Sequence, residues 1–339
     1  YVLFFPQLIV GPIIKYRDMA PQLHNYKNRC NTALMERGVE LFLFGLAKKV
    51  ILADSIGALW TDIISTGGVG LSNVSTPLAW LGIIAYSLQL YFDFAGYSEM
   101  SNGLAALMGF DCAANFDLPY ISASITEFWR RWHISLSGWF RDYIYIPLGG
   151  NRKGAARQML NMFLVWAATG IWHGASWNFI VWGLLNGVVI IISQECAPLY
   201  HRFHERFPKV GATFGWRLFQ VVRTFWLMSA LRSLDCYRDV PLTFSMVGTI
   251  FTRFSLTPLW DGSLLELGLG VGDWVVAGLG CLLMLGVSLR QRRGSVREQL
   301  ERAPAAARYA VAFGLTFAVL VFGAYGVGYD ASQFIYNQF

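Results

Sequence analysis

Two histidines, His133 and His173, stand in aromatic surroundings that suit proton-transfer chemistry. Each is close to tryptophan, in the stretches WRRWHISLSGWF and IWHGASWNF. A histidine that an apolar site keeps neutral can accept a proton from a reacting hydroxyl group. Gly174 directly follows the second histidine and leaves room for a substrate to approach it. His173 is therefore the candidate general base, whereas His133 could also hold a neighbouring element by one buried hydrogen bond.

Six further residues around the two histidines could bind a substrate. Tryptophan and asparagine side chains can donate hydrogen bonds to an atom on which negative charge develops, and His133 or a backbone N–H could do the same. Arginine can bind an anionic ligand, although arginines in such segments more often anchor to lipid headgroups or to the backbone. The candidates are His173 and His133 as catalytic residues, and Trp132, Trp172, Trp177, Asn178, Arg130 and Arg141 as substrate-binding residues.

Residues 124–152 must position His133, and their pattern indicates an amphipathic helix. Ser124 followed by Glu127 has the spacing of a capping box, which marks a helix start. Glu127 precedes Arg131 by four residues, which is the spacing of a helical ion pair. In one continuous helix, the histidine shares an aromatic and apolar stripe with Trp129, Trp132, Leu136 and Phe140.

The arginines of this segment are too costly for a lipid-exposed crossing. Each would cost about 2.5–3.5 kcal/mol at the bilayer centre. We therefore expect that residues 124–152 do not cross the bilayer as one straight helix, but lie at the membrane boundary or inside the protein. The arginines are Arg130, Arg131, Arg141 and Arg152, with Arg157 just beyond.

His173 lies between two largely apolar runs, at residues 160–172 and 179–192. Runs of this length are typical of helices that span or half-span a membrane, so the histidine is expected near their junction. An ionisable side chain at that depth is costly in hydrocarbon and marks a candidate functional site.

Composition places the chain among polytopic helical membrane proteins. Its 339 residues are 55% hydrophobic, 16% aromatic and only 14% charged. The net charge of +6 is clustered, which favours the positive-inside rule over nucleic-acid binding. Residues 290–308 should then be cytoplasmic, and residues 255–274, which contain no Lys or Arg, extracytoplasmic. The five cysteines are scattered singly and predict no metal site.

Several polar residues interrupt the apolar block at residues 77–108. Such groups must face the protein interior or a water-filled cavity. Hydrogen bonding between helices and the lining of a substrate tunnel are both open explanations. The residues are Gln89, Asp93, Ser98, Glu99 and Asn102.

Four segments together resemble the membrane-bound O-acyltransferase family. They are FFPQLIVGPI at residues 4–13, QLYFDFAGYSEM at 89–100, NFDLPYISASITEFWRRWHISLSGWFRDYIYIPLGGNR at 115–152 and IWHGASWNFIVWGLLNG at 171–187. The resemblance is dense over the first two thirds of the chain and loose in the final third. It implies that His133 and His173 are the family's two histidines and that His173 is the catalytic one. Because family members usually carry further spanning helices upstream, we expect a single transmembrane domain over residues 1–339 that lacks N-terminal helices.

The resemblance also implies a fold and an activity. The fold would be an all-α bundle of roughly 8 to 10 spanning, tilted and re-entrant helices around a central polar tunnel. The activity would be acetyl transfer from cytosolic acetyl-CoA, a substrate rather than a bound cofactor, to an extracytoplasmic polysaccharide such as alginate. An extracytoplasmic acetyltransferase partner protein would complete the delivery. Such a protein would be multi-pass in the bacterial inner or plasma membrane, in contact with membrane lipid and not with nucleic acid.

Other functions stay open. The acceptor could instead be peptidoglycan or cellulose, or the acyl group could be D-alanine taken from a carrier protein. A non-catalytic transporter or channel could also use a polar tunnel. Loss of acyl transfer in a histidine variant that still folds would exclude the transporter.

Overall fold

The computed structural model describes residues 1–8, 11–25, 30–64, 69–70 and 73–325. Across these ranges every regular element is helical, which confirms the predicted all-α class. The α-helices, in chain order, are α1 (Tyr16–Leu23), α2 (Thr32–Ala47), α3 (Asp54–Ile64), α4 (Thr76–Leu107), α5 (Ile125–Arg131), α6 (Ile134–Phe140), α7 (Ala155–His173), α8 (Trp177–Glu195), α9 (Ala197–Arg206), α10 (Pro208–Gly211), α11 (Phe214–Tyr237), α12 (Val240–Thr252), α13 (Val271–Gln291), α14 (Val296–Glu301) and α15 (Ala305–Phe322).

The chain forms two compact units. The first unit contains Tyr1–Asn115 together with the described residues from Thr252 onward, and the second contains Phe116–Phe251. All of the predicted site residues belong to the second unit. The single transmembrane domain and the central tunnel stay predictions.

In the first unit, α2 and α4 pack closely because glycines face each other at two levels. A Cβ on Gly38 would lie 2.8 Å from the carbonyl oxygen of Gly103, and a Cβ on Gly103 would lie 2.6 Å from that of Gly38. Gly45 and Gly96 meet in the same way seven residues further along α2. Small residues that let helix backbones approach are typical of helix packing inside membranes.

A buried ion triad joins α4 to the π-helical turn Lys48–Ala53. The Nζ atom of Lys49 lies 2.6 Å from Oδ1 of Asp54 and 3.0 Å from Oδ1 of Asp93. All three side chains are at most 5% exposed. Lys49 is therefore stabilised by the two carboxylates, and each carboxylate depends on Lys49 rather than on water.

Three other polar residues of α4 also have partners within the first unit. Glu99 forms an ion pair with Lys48, and Trp60 donates a hydrogen bond to the side-chain oxygen of Gln89. Asn102 donates a hydrogen bond to a loop carbonyl oxygen at 3.1 Å. For these side chains, the contacts favour hydrogen bonding between elements over the lining of a tunnel.

Four helices of the described chain are long and apolar enough to cross a membrane, namely α4, α8, α13 and α15. In α4, 78% of the most apolar window is buried inside the protein, whereas only 6% is buried in α13 and in α15. The exposed apolar surfaces of α13 and α15 suit contact with lipid, because lipid chains need no polar partner. The chain is a multi-pass, all-α membrane protein, as its composition predicts.

Candidate active site

The segment that carries His133 forms two short helices rather than one. α5 ends at Arg131 and α6 begins at Ile134. Trp132 is extended, with φ −100° and ψ 128°, while His133 lies in the left-handed region with φ 44° and ψ 57°. The predicted continuous helix is therefore wrong at this point. The prediction that residues 124–152 do not form one straight crossing helix is confirmed.

Aromatic packing stabilises this break. The Trp132 ring lies 5.0 Å from that of Phe116, edge to face, and stacks at 5.6 Å on that of Phe128. The side chains of Trp132 and His133 are only 4% and 5% exposed. A non-glycine residue in the left-handed region costs about 1–3 kcal/mol, which the burial of a large aromatic side chain can offset.

The start of α5 agrees with its predicted cap. The Ser124 hydroxyl accepts a hydrogen bond from the backbone N–H of Glu127 at 3.1 Å. The carboxylate of Glu127 accepts from the backbone N–H of Ala123 at 2.8 Å and pairs with Arg131 at 3.1 Å. These local contacts hold the helix that leads into the break.

A close helical hairpin positions His173. A Cβ on Gly183 of α8 would lie 2.5 Å from the carbonyl oxygen of Trp166 of α7, and a Cβ on Gly187 would lie 3.0 Å from the Trp166 Cβ. Gly170 meets the α8 backbone in the same way, with its Cβ position 2.6 Å from the carbonyl oxygen of Phe179. The spacing of Gly183 and Gly187 is that of a small-residue packing motif. The end of α7 is therefore held against the start of α8.

His173 is the last residue of α7, so the predicted helix junction is confirmed. Its half-buried ring lies 4.8 Å from the Trp182 ring and stacks at 6.2 Å on the Phe179 ring. Gly174 allows this packing, because a Cβ there would lie 2.6 Å from a ring carbon of Phe179. The imidazole is thus held by aromatic rings while part of it stays accessible.

Trp172 connects the two histidines. Its ring centroid is 5.0 Å from that of His173 and 6.3 Å from that of His133. His133 also stacks on Phe116 at 6.4 Å. The structure therefore brings the two predicted catalytic residues together around one tryptophan.

Arg232 lies beside this pair, although the sequence predicted no role for it. It is on α11, is 4% exposed, and places its guanidinium carbon 4.1 Å from the centroid of the Trp132 ring. Its Nη1 atom is 3.5 Å from a carboxylate oxygen of Asp235. Since Trp132 directly precedes His133, this contact places the charge of Arg232 near the histidine pair.

A signal for Arg232 exists in the sequence. An arginine within the apolar stretch LMSALRSL, with an aspartate three residues later, has the spacing of a helical ion pair. A charged side chain in an apolar helix of a membrane protein usually faces the protein interior and marks a functional site. The sequence spacing does not predict the contact of Arg232 with Trp132, because that contact forms only when the second unit folds.

Asn178 is buried and occupied by structural contacts. Its amide nitrogen donates to the carbonyl oxygen of Leu234 at 3.3 Å, and its side-chain oxygen accepts from the Ser176 hydroxyl at 2.5 Å. The bond to Leu234 ties the start of α8 to α11, and the bond from Ser176 is local to the start of α8. Its predicted role as a substrate ligand stays a prediction.

The other predicted substrate-binding residues separate into two groups. Trp132 is buried beneath Arg232, and Trp172 lies between the histidines although its side chain is 48% exposed. Trp177, Arg130 and Arg141 are exposed, and Arg141 pairs with the adjacent Asp142 at 2.9 Å. The predicted role of these three exposed side chains as substrate ligands stays a prediction.

The chain is similar in sequence to several curated proteins. The chain is 47% identical to the probable alginate O-acetylase AlgI of Pseudomonas fluorescens over 194 residues, which cover 57% of this chain and 38% of that protein. It is 39% identical to a peptidoglycan O-acetyltransferase of Helicobacter pylori over 240 residues, 69% of this chain and 44% of that protein. It is 32% identical to a teichoic acid D-alanyltransferase of Streptococcus thermophilus over 212 residues, 57% of this chain and 49% of that protein.

The chain thus spans less than half the length of each of these curated relatives. The family model described as MBOAT, membrane-bound O-acyltransferase, matches residues 1–233, which include both histidines and Arg232. Because that match covers more than half of the chain, this protein belongs to the membrane-bound O-acyltransferase family.

Proposed function

We propose that this protein is a membrane-embedded O-acyltransferase that moves an acyl group from a thioester donor to a hydroxyl acceptor. The observation that carries the proposal is the pairing of His133 and His173 around Trp172. Transfer to a hydroxyl needs a base for the hydroxyl proton and donors for the developing oxyanion, and it needs no covalent enzyme intermediate.

In this proposal, His173 acts as the base. It is the more accessible of the two histidines and is the last residue of α7, directly before Gly174. Packing against Phe179 and Trp182 fixes the plane of its ring. A base whose orientation is fixed before the substrate arrives loses little entropy in the reaction.

His133 has a different role in this proposal. Its ring is buried between Phe116 and Trp172, and its backbone is held in a left-handed conformation. A side chain fixed in this way can orient the acceptor or the base by a hydrogen bond. We therefore assign proton transfer to His173 and positioning to His133.

Acetyl-CoA from the cytosol is the donor that we propose, with an extracytoplasmic polysaccharide as the final acceptor. The support is the similarity to proteins named as O-acetylases, at 39–47% identity, against 32% for the D-alanyltransferase. Since the donor is cytosolic and the polymer lies outside, an enzyme in the inner membrane with an extracytoplasmic acetyltransferase partner would connect them. Alginate is the polymer that we place first, and peptidoglycan second.

The experiment uses the full-length protein in liposomes with acetyl-CoA radiolabelled in the acetyl group. Label should move to the partner or to an alginate oligomer as coenzyme A is released, and His173→Ala should stop both. A parallel reaction receives a D-alanyl carrier protein instead of acetyl-CoA. If transfer occurs only with the D-alanyl carrier protein, the donor is that carrier and not acetyl-CoA. If neither thioester is cleaved, the proposed acyltransferase function is refuted.

A further inference from the structure

Arg232 is buried on every side but is only partly paired. Its side chain is 5% exposed, and the ion pair with Asp235 uses the Nη1 atom at 3.5 Å. The face of the guanidinium lies on the Trp132 ring. Within the described ranges of the chain, the buried Nε and Nη2 atoms have no hydrogen-bond partner.

The two unpaired atoms belong to the same edge of the guanidinium. Nε–H and one Nη2–H point in parallel and form the fork with which arginine binds oxygen anions. Leaving buried donors unpaired costs about 1–3 kcal/mol each, and more when the group is charged. The guanidinium is held by Trp132 at one face and by Asp235 at Nη1. Its free Nε and Nη2 edge is therefore oriented to bind a ligand oxygen that bears negative charge.

Its position identifies the ligand atom. Arg232 lies on Trp132, the residue that directly precedes His133, and the rings of His133 and His173 both lie beside Trp172. In acyl transfer, the oxygen that gains negative charge beside the base is the carbonyl oxygen of the acyl group. The phosphates of a donor are remote from the reacting carbon and have no need to approach the histidines.

We propose that the Nε and Nη2 edge of Arg232 binds the carbonyl oxygen of the acyl group and stabilises its negative charge during transfer. The inference rests on the proposed acyltransferase function. The acceptor oxygen forms a bond to the acyl carbon, the carbonyl electron pair moves to oxygen beside Arg232, and His173 takes the hydroxyl proton. The carbonyl then re-forms, the C–S bond breaks, and the leaving sulfur receives the proton from His173.

The test compares Arg232→Gln and Arg232→Lys with wild type in the full-length protein, by the rate of acetyl transfer at several acetyl-CoA concentrations. Loss of one oxyanion donor lowers kcat by about 10²–10³-fold. We expect that decrease in both variants, with KM for acetyl-CoA changed by less than threefold. Lysine keeps the charge but not the fork, so it should not restore the rate.

Arg223→Gln is the matched control. It removes the same charge from the same helix, nine residues away and about 13 Å along the axis, where Arg223 donates to the carbonyl oxygen of Ala123 at 3.0 Å. Its kcat should stay close to wild type. An equal decrease in Arg223→Gln would show a general effect of charge on α11 and would overturn the proposal.

Four other outcomes would overturn the assignment. If kcat and KM are both unchanged in Arg232→Gln, Arg232 does not stabilise the negative charge. If KM for acetyl-CoA rises while kcat is unchanged, the Nε and Nη2 atoms of Arg232 bind a phosphate of the donor instead. If both single variants fail to fold, the double variant Arg232→Met/Asp235→Leu replaces the buried pair by apolar groups, which proteins often tolerate. Wild-type kcat in the folded double variant, or failure of all three variants to fold, would make Arg232 structural. Absence of transfer in wild type, in contrast, refutes the acyltransferase function itself.

Discussion

The guanidinium carbon of Arg232 lies 4.1 Å from the centroid of the Trp132 ring, so a buried charge on α11 rests on the residue that directly precedes His133. Trp132 is also packed against Phe116 and Phe128. One tryptophan thus fixes both the break between α5 and α6 and the position of the charge. This contact connects the local chain conformation to the electrostatics of the histidine pair.

Replacing Trp132 should reduce transfer through its effect on Arg232. A cation over a desolvated ring gains about 2 kcal/mol, which Trp132→Leu removes and Trp132→Phe retains in part. We expect at least a tenfold lower kcat for the leucine variant and a smaller decrease for the phenylalanine variant, measured by coenzyme A release. Equal rates in the two variants would show that the ring does not act through the cation.

His173→Ala should abolish acyl transfer while the fold persists. A general base contributes about 10²–10⁴-fold in rate, and truncating a half-buried ring at the end of a helix should leave a smaller cavity than truncating a fully buried one. Polymer acetylation in cells and the melting temperature in detergent measure the two effects separately. Wild-type acetylation, or a loss explained by failure of the protein to accumulate, would make His173 a structural residue.

His133 allows the side chain and the backbone to be tested separately. The backbone at this position is left-handed, with φ 44°. That conformation costs about 1–2 kcal/mol for alanine, whereas glycine adopts it without strain. We expect His133→Gly to melt at a higher temperature than His133→Ala, with both slower in transfer than wild type. Full activity in the glycine variant would exclude a chemical role for the imidazole.

Gly174→Ala should disturb the catalytic ring without touching it. The new Cβ would lie 2.6 Å from the Phe179 ring that stacks on His173, so that ring must move. We expect a lower kcat, together with a lower melting temperature, since overpacking at a buried ring costs about 1–3 kcal/mol. Gly215→Ala is the control, because a Cβ there meets nothing within 4 Å, and it should keep the wild-type rate. A similar loss in both variants would contradict the explanation.

Lys49→Met should strongly destabilise the protein. It leaves Asp54 and Asp93 buried beside each other without their cation, and breaking a buried ion pair costs about 3–5 kcal/mol. The triple variant Lys49→Met/Asp54→Asn/Asp93→Asn removes all three charges and should recover much of the loss in melting temperature. Arg302→Met, at a side chain that is 83% exposed, should have little effect. A Lys49→Met variant as stable as wild type would show that the ion pairs of Lys49 contribute nothing to the stability of the protein.

The orientation in the membrane is open to a labelling test. The exposed residue Asp261 precedes α13 in the chain, and the exposed residue Arg302 follows it. Because α13 is a candidate membrane span, the two residues should lie on opposite sides of the membrane. In a background without the five native cysteines, a membrane-impermeant thiol reagent added outside should label Asp261→Cys and spare Arg302→Cys. Labelling of Arg302→Cys alone would show that the orientation is the reverse of the predicted one. Labelling of both residues would show that α13 does not cross the membrane.

The amino-acid sequence by itself determined the features that depend on neighbouring residues and on composition. The Ser124 cap, the ion pair from Glu127 to Arg131 and the helix end at His173 were all predictable, because each depends on contacts or hydropathy within a few residues. The all-α membrane class follows in the same way from long apolar runs, since only helices satisfy their own backbone there.

Only the tertiary structure decided the left-handed turn at His133 and the presence of Arg232 in the site. Helical periodicity alone predicts that the aromatic stripe continues from Trp132 through His133. The helix breaks there because Phe116 packs against Trp132, and this contact is not visible in the spacing of the residues. Nor does spacing show that Trp177 is 74% exposed while Arg232 is buried. Contacts between residues far apart in the chain set these outcomes, and their energy exceeds the local preferences from which the sequence is interpreted.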